Sequence, residues 1–494
     1  MSIYPPLDAT AADREPYNPD LFVGRQEELR AIKRKVEEGL AGFPITRPVV
    51  HLWGAPGIGK SWLLERLEQR LPDEVGTAVR QGLLSARVDF KDFSFTSRNK
   101  ADVAALLDQL WIQPDSETLE ANLKQALNDF KQAYSGFKMA EAETSELLDR
   151  FYQYMLQLSE RFVVLFLFDG VEKLDAESFF WLERKLIAPL VRTDRVIFVV
   201  AGRKELPRWK EFVVRQRLEV REIQEFSLSD TQEQLSNYKV PRDVLSDIYP
   251  YTFGHPYANS VWARAWAKAG GASPEKKRAL LEKVEAELLK DIQLERERDI
   301  LRTLSALRKF NVESARLLLG EIIDPEFKTV SDGYYLRLFE ALEQSSLVYW
   351  SLEARGYTMG FSVRRMLDLR IQKSDPEKFC QRHKLTQSLY EERFEHSKAD
   401  RARQLLEILF HAVCCVRGRL PEKATKEQVS QVLEREVSRI LDNKLTEAYF
   451  DADSIDALFH FLKIDVEFHE VLPSEIYEAV VERVRQFRYK LLSV

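Results

Sequence analysis

A glycine-rich stretch holds the residues whose spacing is tied most directly to chemistry. Residues 54–61 read GAPGIGKS, a full match to the pattern G-x-x-x-x-G-K-[ST]. The glycines permit positive φ, so that backbone N–H groups can point inward around phosphates. We expect Lys60 to reach the β- and γ-phosphates of a nucleoside triphosphate and the Ser61 hydroxyl to bind Mg²⁺. The predicted nucleotide-binding residues of this stretch are Gly54, Ala55, Pro56, Gly57, Ile58, Gly59, Lys60, Ser61 and Trp62.

The neighbouring residues predict the elements that position this loop. An apolar run, Val49 to Trp53, precedes it, and apolar residues at helical spacing follow from Trp62 to Leu71. Strand, loop and helix in that order are the context that the motif requires. The start of the helix adds the positive end of its dipole. An ordinary glycine-rich turn is the alternative, and this context disfavours it.

A second group of candidate site residues follows the most apolar segment of the chain. Residues 162–168 read FVVLFLF, which suits a strand covered on both faces of a parallel sheet, and Asp169 comes next. We expect Asp169 to bind Mg²⁺ through water, opposite Ser61. The alternative is a helix N-cap. Glu172 either orients or deprotonates the attacking water, or is the capping-box partner of Asp169.

Three further residues are weaker candidates. Arg203 ends the next buried strand, Arg195 to Ala201, where it could contact the γ-phosphate, although a solvated loop arginine is the alternative. Arg25 lies near the base or phosphates, or is a plain surface charge at a helix start. Pro256 interrupts a helical region and either packs against the adenine or makes an interhelical turn.

Strands alternating with helices predict an α/β domain with a parallel sheet, whose ligands sit off the carboxyl ends of the strands. Further strands are predicted at Leu83–Phe90 and Leu218–Phe226. The predicted fold is an α/β P-loop NTPase core with a parallel sheet, followed by a helical lid, a winged helix and an all-α C-terminal domain. The predicted boundaries are 1–20 for an N-terminal arm, 21–227 for the NTPase domain, 228–297 for the lid, 298–373 for the winged helix and 374–494 for the C-terminal helices.

The predicted winged helix does not favour DNA. Its third helix, within residues 332–343, has one arginine against three acids, which is poor for approaching phosphates. Arg364, Arg365 and Arg370 would form a small basic patch after the wing. We therefore expect this module to contact protein.

Composition excludes several classes of protein. The chain has 494 residues, 45% of them hydrophobic and 31% charged, and a net charge of −6, which does not mark a nucleic-acid binder. The absence of an apolar signal segment or membrane-length run predicts a cytoplasmic protein that contacts no membrane. Cys380, Cys414 and Cys415 lack metal-ligand spacing and cannot form a disulfide framework, so we expect small core residues. The remaining histidines show no metal or triad pattern.

The ordered set of motifs resembles the STAND class of signal-transduction ATPases, which includes NACHT and apoptotic ATPases and bacterial relatives. Residues 21–29 read LFVGRQEEL, with Gln26 where the class usually has Glu. GAPGIGKS matches the Walker A motif, FVVLFLFDGVEKL the Walker B motif, VVAGR the sensor strand and YTFGHPYA the G-x-P motif. The helical segment at 379–411 is similar to the arm of bacterial members. The resemblance implies nucleotide contacts from Phe22, Val23, Gly24, Arg25 and Pro256.

The resemblance also implies a molecular switch. ADP would hold the nucleotide domain, lid and winged helix closed, and ATP would open them and lead to oligomers that activate an effector. Slow hydrolysis with Mg²⁺ would reset the switch. Residues 1–20 and those after 415 show no obvious effector or repeat sensor, so we expect a separate effector or sensor protein. A role in bacterial signalling or defence rests on analogy with the class alone.

An ATPase of the origin-recognition type is the alternative, because such proteins also join an AAA+-like core, a lid and a DNA-binding winged helix. The acidic third helix, the Asp-Gly-Val-Glu form and the C-terminal helical arm argue against it. A metabolic ATPase or kinase lacks any substrate-domain signature here.

Overall fold

The computed structural model divides the chain into two compact units, Met1–Gly271 and Ala272–Val494. This boundary falls inside the predicted lid, 228–297, and the five-domain division remains a prediction. Most of the predicted N-terminal arm lies outside the described residues. Those described are 16–75, 82–114, 120–139, 143–203, 209–269, 273–345, 347–351, 355–398, 400–421 and 424–492.

The described part of the first unit contains a five-stranded parallel sheet. Its strands are β1 (Val49–Trp53), β2 (Leu83–Asp89), β3 (Val163–Asp169), β4 (Val196–Gly202) and β5 (Leu218–Glu222), in the order β2-β3-β4-β1-β5. Trp53 pairs with Gly202 and Asp89 with Asp169, so these residues end their strands at one edge. The predicted parallel sheet is confirmed, and its carboxyl edge carries the candidate site residues.

Helices cover both faces of this sheet. Alternate residues of β3 enter two different cores: Phe166 and Phe168 face one, and Leu165 and Leu167 face the other. This explains why the strand is apolar at every position. The α-helices of the unit are α1 (Gln26–Leu40), α2 (Lys60–Glu74), α3 (Lys100–Leu110), α4 (Ala121–Lys138), α5 (Thr144–Arg161), α6 (Ala176–Leu182), α7 (Ala188–Leu190), α8 (Phe212–Gln216), α9 (Leu228–Asn237), α10 (Leu245–Thr252) and α11 (Pro256–Ala269). A π-helical turn, Glu183–Ile187, joins α6 to α7. The 3₁₀ turns of the unit are Pro19–Leu21, Val171–Lys173 and Arg242–Val244.

The last strand is shorter than predicted. It ends at Glu222 rather than at Phe226, because after a last hydrogen bond from Ile223 to β1 the backbone turns to the predicted lid. The Ile223 N–H donates to the Trp53 carbonyl, and the Phe226 N–H donates to the Gly254 carbonyl. This segment therefore connects the sheet to the predicted lid helices α9–α11.

The second unit begins with α12 (Pro274–Leu288), which falls in the predicted lid. The predicted winged helix follows, with α13 (Glu295–Leu304), α14 (Val312–Ile322) and α15 (Asp332–Gln344) and a 3₁₀ turn at Pro325–Lys328. The antiparallel strands β6 (Val348–Ser351) and β7 (Gly356–Met359) form the predicted hairpin. The predicted turn residue Ala354 lies outside the described residues.

The rest of the second unit is helical, as predicted. It contains α16 (Phe361–Ser374), α17 (Pro376–His396), α18 (Arg401–Arg419), α19 (Lys426–Lys444), α20 (Ala452–Ile464), α21 (Val466–Val471) and α22 (Ser474–Leu492). All three cysteines are buried, as expected, but the sulfurs of Cys380 and Cys415 form a disulfide that the sequence did not indicate. No described helix is both long and apolar enough to cross a membrane.

The predicted basic patch is wrong. Arg364 is buried, donates to the Ser305 carbonyl and pairs with Glu467, while Arg370 pairs with Glu282. These arginines hold helices of the second unit together. Helical spacing alone did not show that their acidic partners come from distant segments.

A buried polar network joins α16, α17 and α18. Asp368 Oδ1 accepts from Arg382 at 2.7 Å, Asp368 Oδ2 lies 3.2 Å from His383 Nε2, and the Nδ1 atoms of His383 and His411 are 2.8 Å apart. Burial opposes ionisation of Asp368, but His383 and Arg382 hold the pKa of this carboxyl well below its usual range. Removing one member of a buried network of this kind leaves its hydrogen-bond partners unsatisfied.

We expect Asp368→Asn to lower the free energy of unfolding by about 3 kcal/mol at pH 7, because it leaves the Arg382 guanidinium buried without its counter-ion. A carboxyl whose pKa is lower in the folded than in the unfolded state stabilises the fold at pH values above its unfolded-state pKa. The difference in free energy of unfolding between the wild type and Asp368→Asn should therefore narrow as the pH falls below about 4. Urea denaturation of the full chain at several pH values measures it. Asp453→Asn, at an exposed carboxylate of the same unit, is the control.

Candidate functional site

The glycine-rich loop lies between β1 and α2, as its sequence predicts. Gly59 precedes α2 with φ +100°, and Lys60 is the first residue of the helix. Lys60 Nζ donates to the carbonyls of Gly54 and Ala55, at 2.7 and 2.9 Å. Burial lowers the pKa of Lys60 to about 7, opposed by Glu172. In this state the lysine is bound by its own loop.

Arg25 also binds the backbone of the loop. Its guanidinium donates to the Ile58 carbonyl at 2.7 Å and to the Gln224 carbonyl at 2.6 Å, and it stacks over the Phe226 ring. It is buried, so the surface-charge alternative is wrong. Arg25 therefore fixes the loop to the segment that follows β5.

The Gly-His-Pro turn touches the loop directly. His255 Nε2 donates to the Pro56 carbonyl at 2.9 Å, and the Tyr257 N–H donates to the Gly57 carbonyl at 3.3 Å. His255 Nδ1 accepts from the Ala258 N–H, which fixes one neutral tautomer. Burial lowers the pKa of His255 to about 4, so the ring stays neutral near pH 7. Pro256 is the first residue of α11, where proline is favoured.

Gly57 shows why this contact constrains the sequence. Its φ is +75°, and a Cβ there would lie 2.9 Å from both His255 Cε1 and Tyr257 Cβ. The glycine is therefore required by the close approach of the lid as well as by its backbone conformation. The motif predicted the conformation, but the close neighbour came from 200 residues further along the chain.

Asp169 ends β3 beside the loop, and one lysine bridges the two. Lys91 Nζ lies 2.9 Å from Asp169 Oδ2 and 2.6 Å from Ser61 Oγ. Gly170, not Asp169, precedes the 3₁₀ turn at Val171–Lys173, so the N-cap alternative is wrong. Because one cation already sits between these two oxygens, the pair fits a hard cation such as Mg²⁺. Within the described residues no cluster of three His, Cys, Asp or Glu could hold a metal.

Glu172 and Arg203 form a buried ion pair. Arg203 Nε lies 3.1 Å from Glu172 Oε1, and both side chains are at most 10% exposed. The solvated alternative for Arg203 and the capping-box alternative for Glu172 are therefore wrong. Glu172 Oε2 is buried and has no hydrogen-bond partner among the described residues. A buried carboxylate oxygen of this kind calls for a water or ligand.

His51, one of the histidines without a metal or triad pattern, borders Gly202, as that oxygen does. Both of its ring nitrogens are buried and lack a hydrogen-bond partner in the described part of the chain. Burial, and then Lys60, lower its pKa to about 3. The position that a Cβ would take at Gly202 lies 3.8 Å from Glu172 Oε2 and 3.9 Å from His51 Nε2. No sequence signal marks this histidine, because the register of β1 against β4 creates the neighbourhood.

The remaining predicted nucleotide-binding residues line a neighbouring cavity or flank it. Phe22, Val23 and Gly24 face a cavity of about 560 Å³ that is also lined by Arg66 and Arg70 of α2. Its described lining includes no residue of 54–61. Trp62 packs edge-on against Tyr17. The position of a bound base therefore remains a prediction.

Part of the chain is similar to known ATPases. Residues 21–199 match the family model of an AAA ATPase domain. No curated protein matches the chain. A Walker-type ATPase of Pyrococcus abyssi is similar at 12% identity and a TM-score of 0.49, covering 72% of this chain and 98% of that one. The ADP form of the ORC2 protein of Aeropyrum pernix is similar at 14% identity and a TM-score of 0.44, covering 74% of this chain and 97% of that one. Identities this low say nothing of shared activity.

We expect Gly57→Ala to lower the free energy of unfolding by about 1–3 kcal/mol more than Gly59→Ala does. Both glycines have positive φ, but only the new methyl at position 57 collides with the lid, because nothing lies within 4 Å of a Cβ at position 59. Denaturation without nucleotide, followed by tryptophan fluorescence, gives the comparison. Equal losses would show that the lid is not packed on the loop.

Proposed function

We propose that the chain is an ATP/ADP-dependent switch of STAND type. It binds and slowly hydrolyses ATP, and nucleotide-controlled opening and oligomerisation regulate a separate effector or partner protein. The observation that carries this proposal is the contact between lid and loop. A ligand that repositions the loop acts directly on His255 and Tyr257, which lie on either side of Pro256 at the start of the lid helix α11.

The loop supports the binding step. Five consecutive carbonyls, those of residues 54–58, accept hydrogen bonds from protein donors. Each held carbonyl directs the N–H of its own peptide unit the opposite way, so the N–H groups of Gly57 and Gly59 can face phosphate oxygens. Pro56 has no N–H, and the Ile58 N–H donates to the Ala55 carbonyl. Lys60 then exchanges its two loop carbonyls for the β- and γ-phosphates. Ser61 and Asp169 would hold Mg²⁺, which adds positive charge on the phosphate oxygens.

Glu172 and Arg203 support hydrolysis and sensing. The unpartnered Oε2 of Glu172 would accept a proton from a water placed near Gly202, and Oε1 stays with Arg203. The γ-phosphate competes with Glu172 for the Arg203 guanidinium, so ATP and ADP leave this pair differently arranged. Such a differential contact is what a two-state switch needs.

DNA binding is the less favoured role. The exposed face of α15 carries Asp332, Leu336, Arg337 and Glu340, which offers a single positive charge to a phosphate backbone. A binding assay at several salt concentrations separates the two roles. Strong binding with a steep salt dependence would favour the origin-recognition type.

We expect Lys60→Ala to weaken ADP and ATP binding about 100-fold, because two charged hydrogen bonds to phosphate are lost. Any increase in mass on ATP exchange should also disappear. Calorimetry and light scattering measure the two effects. Lys124→Ala, at an exposed lysine of α4, should behave as the wild type. Normal binding by Lys60→Ala would contradict the proposed phosphate site.

We expect Glu172→Gln to keep nucleotide binding and to slow hydrolysis by about 100-fold or more, because the amide cannot accept the proton of water. The ATP-bound form should last longer in single-turnover experiments. Glu146→Gln, at an exposed position of α5, is the matched control. Unchanged hydrolysis would limit Glu172 to holding Arg203.

A further inference from the structure

Lys91 follows β2, and its side chain extends from there to the candidate site. Its backbone N–H donates to Asp89 Oδ1 at 2.9 Å, which fixes the start of the side chain. Its stem passes over Gly170, where a Cβ would lie 2.8 Å from Lys91 Cγ and 3.2 Å from Cε. A side chain at position 170 would block this course. The Lys91 side chain therefore reaches the loop because position 170 is a glycine.

The ammonium group ends between the two oxygens predicted to serve the metal. Lys91 Nζ donates to Ser61 Oγ at 2.6 Å and to Asp169 Oδ2 at 2.9 Å. Asp169 is 1% exposed and Lys91 15% exposed, so the pair is shielded from solvent. Hydrogen bonds of an ammonium to a buried carboxylate are among the stronger ones in proteins.

One position cannot hold both cations. Mg²⁺ takes oxygen ligands at about 2.0–2.1 Å in an octahedron and usually keeps several waters. An ammonium between the same two oxygens would occupy that space, and the like charges would repel each other strongly at such a distance. Binding of the metal therefore requires Lys91 Nζ to leave, which the four rotatable bonds of its stem permit.

We propose that Lys91 is an internal substitute for the divalent cation: its ammonium occupies the position between Ser61 and Asp169 without metal and competes with Mg²⁺ for it. This inference rests on the proposed nucleotide site. It predicts a chain that binds nucleotide with a weak dependence on Mg²⁺, because its own cation already faces the phosphates. Removing the ammonium should make binding depend on the metal.

The test is ADP binding by calorimetry in excess EDTA and across a Mg²⁺ titration. For Lys91→Met, which keeps the stem and removes the charge, we expect the ratio of Kd without metal to Kd with metal to rise about tenfold or more over the wild type. The half-saturating Mg²⁺ concentration should fall correspondingly. Lys91→Gln should follow Lys91→Met, and Lys124→Met should match the wild type. An unchanged ratio in both Lys91 variants overturns the proposal and leaves Lys91 a structural ion pair.

A second measurement uses the wild-type chain and does not depend on how the variants fold. Reductive methylation of lysines, read by mass spectrometry, should modify Lys91 faster with ADP and Mg²⁺ than with ADP and EDTA, because the metal displaces the amine. Equal rates contradict the competition. Failure of the wild type to bind ADP in either condition would instead defeat the proposed function itself, so the two failures are distinguishable.

Discussion

The backbone of one loop is the constraint on which the first unit depends. The carbonyls of residues 54–58 are held by donors from three places: Lys60 in the loop itself, Arg25 before α1, and the turn at His255–Tyr257. The C=O and the N–H of one trans peptide unit point in opposite directions, so fixing these carbonyls sets the direction of the N–H groups of Gly57 and Gly59. The shape of the site is therefore set by contacts behind it. The same contacts bind the loop to the lid.

The sheet explains which groups can meet this loop. In the order β2-β3-β4-β1-β5, strand β4 lies between the loop strand and the strand that ends in Asp169. Gly202 ends β4 without a side chain, which leaves room for Glu172 and His51 on either side of it. Register then pairs Asp89 with Asp169, so a residue just beyond β2 can reach the loop as well.

The local sequence predicted the parts of the site that are local in the chain. GAPGIGKS carries its own turn chemistry, and the apolar run before Asp169 is long enough to specify a buried strand. The residues that contact the loop and Asp169 from elsewhere in the chain could not be predicted from local sequence. The attachment of His255 to Pro56, the pairing of Glu172 with Arg203 and the course of Lys91 all arise from tertiary packing between distant segments. The same limit applies to the second unit, where Arg364 and Arg370 of the expected basic patch pair with acids that lie far along the chain.

Charge balance links these contacts to the proposed switch. Three cations at the loop have partners from the protein: Lys60 has loop carbonyls, Lys91 has Asp169, and Arg203 has Glu172. Phosphate groups offer the same cations stronger partners, because they carry formal charge and accept several hydrogen bonds. Binding is thus an exchange of internal partners for ligand oxygens rather than the filling of a preformed charge deficit. Each exchange frees a carbonyl or carboxylate that had been fixed, and the carbonyls of Gly54 and Ala55 belong to the loop that the lid contacts. Under the proposed switch, a site built in this way would transmit the arrival of a triphosphate to the lid through the backbone itself.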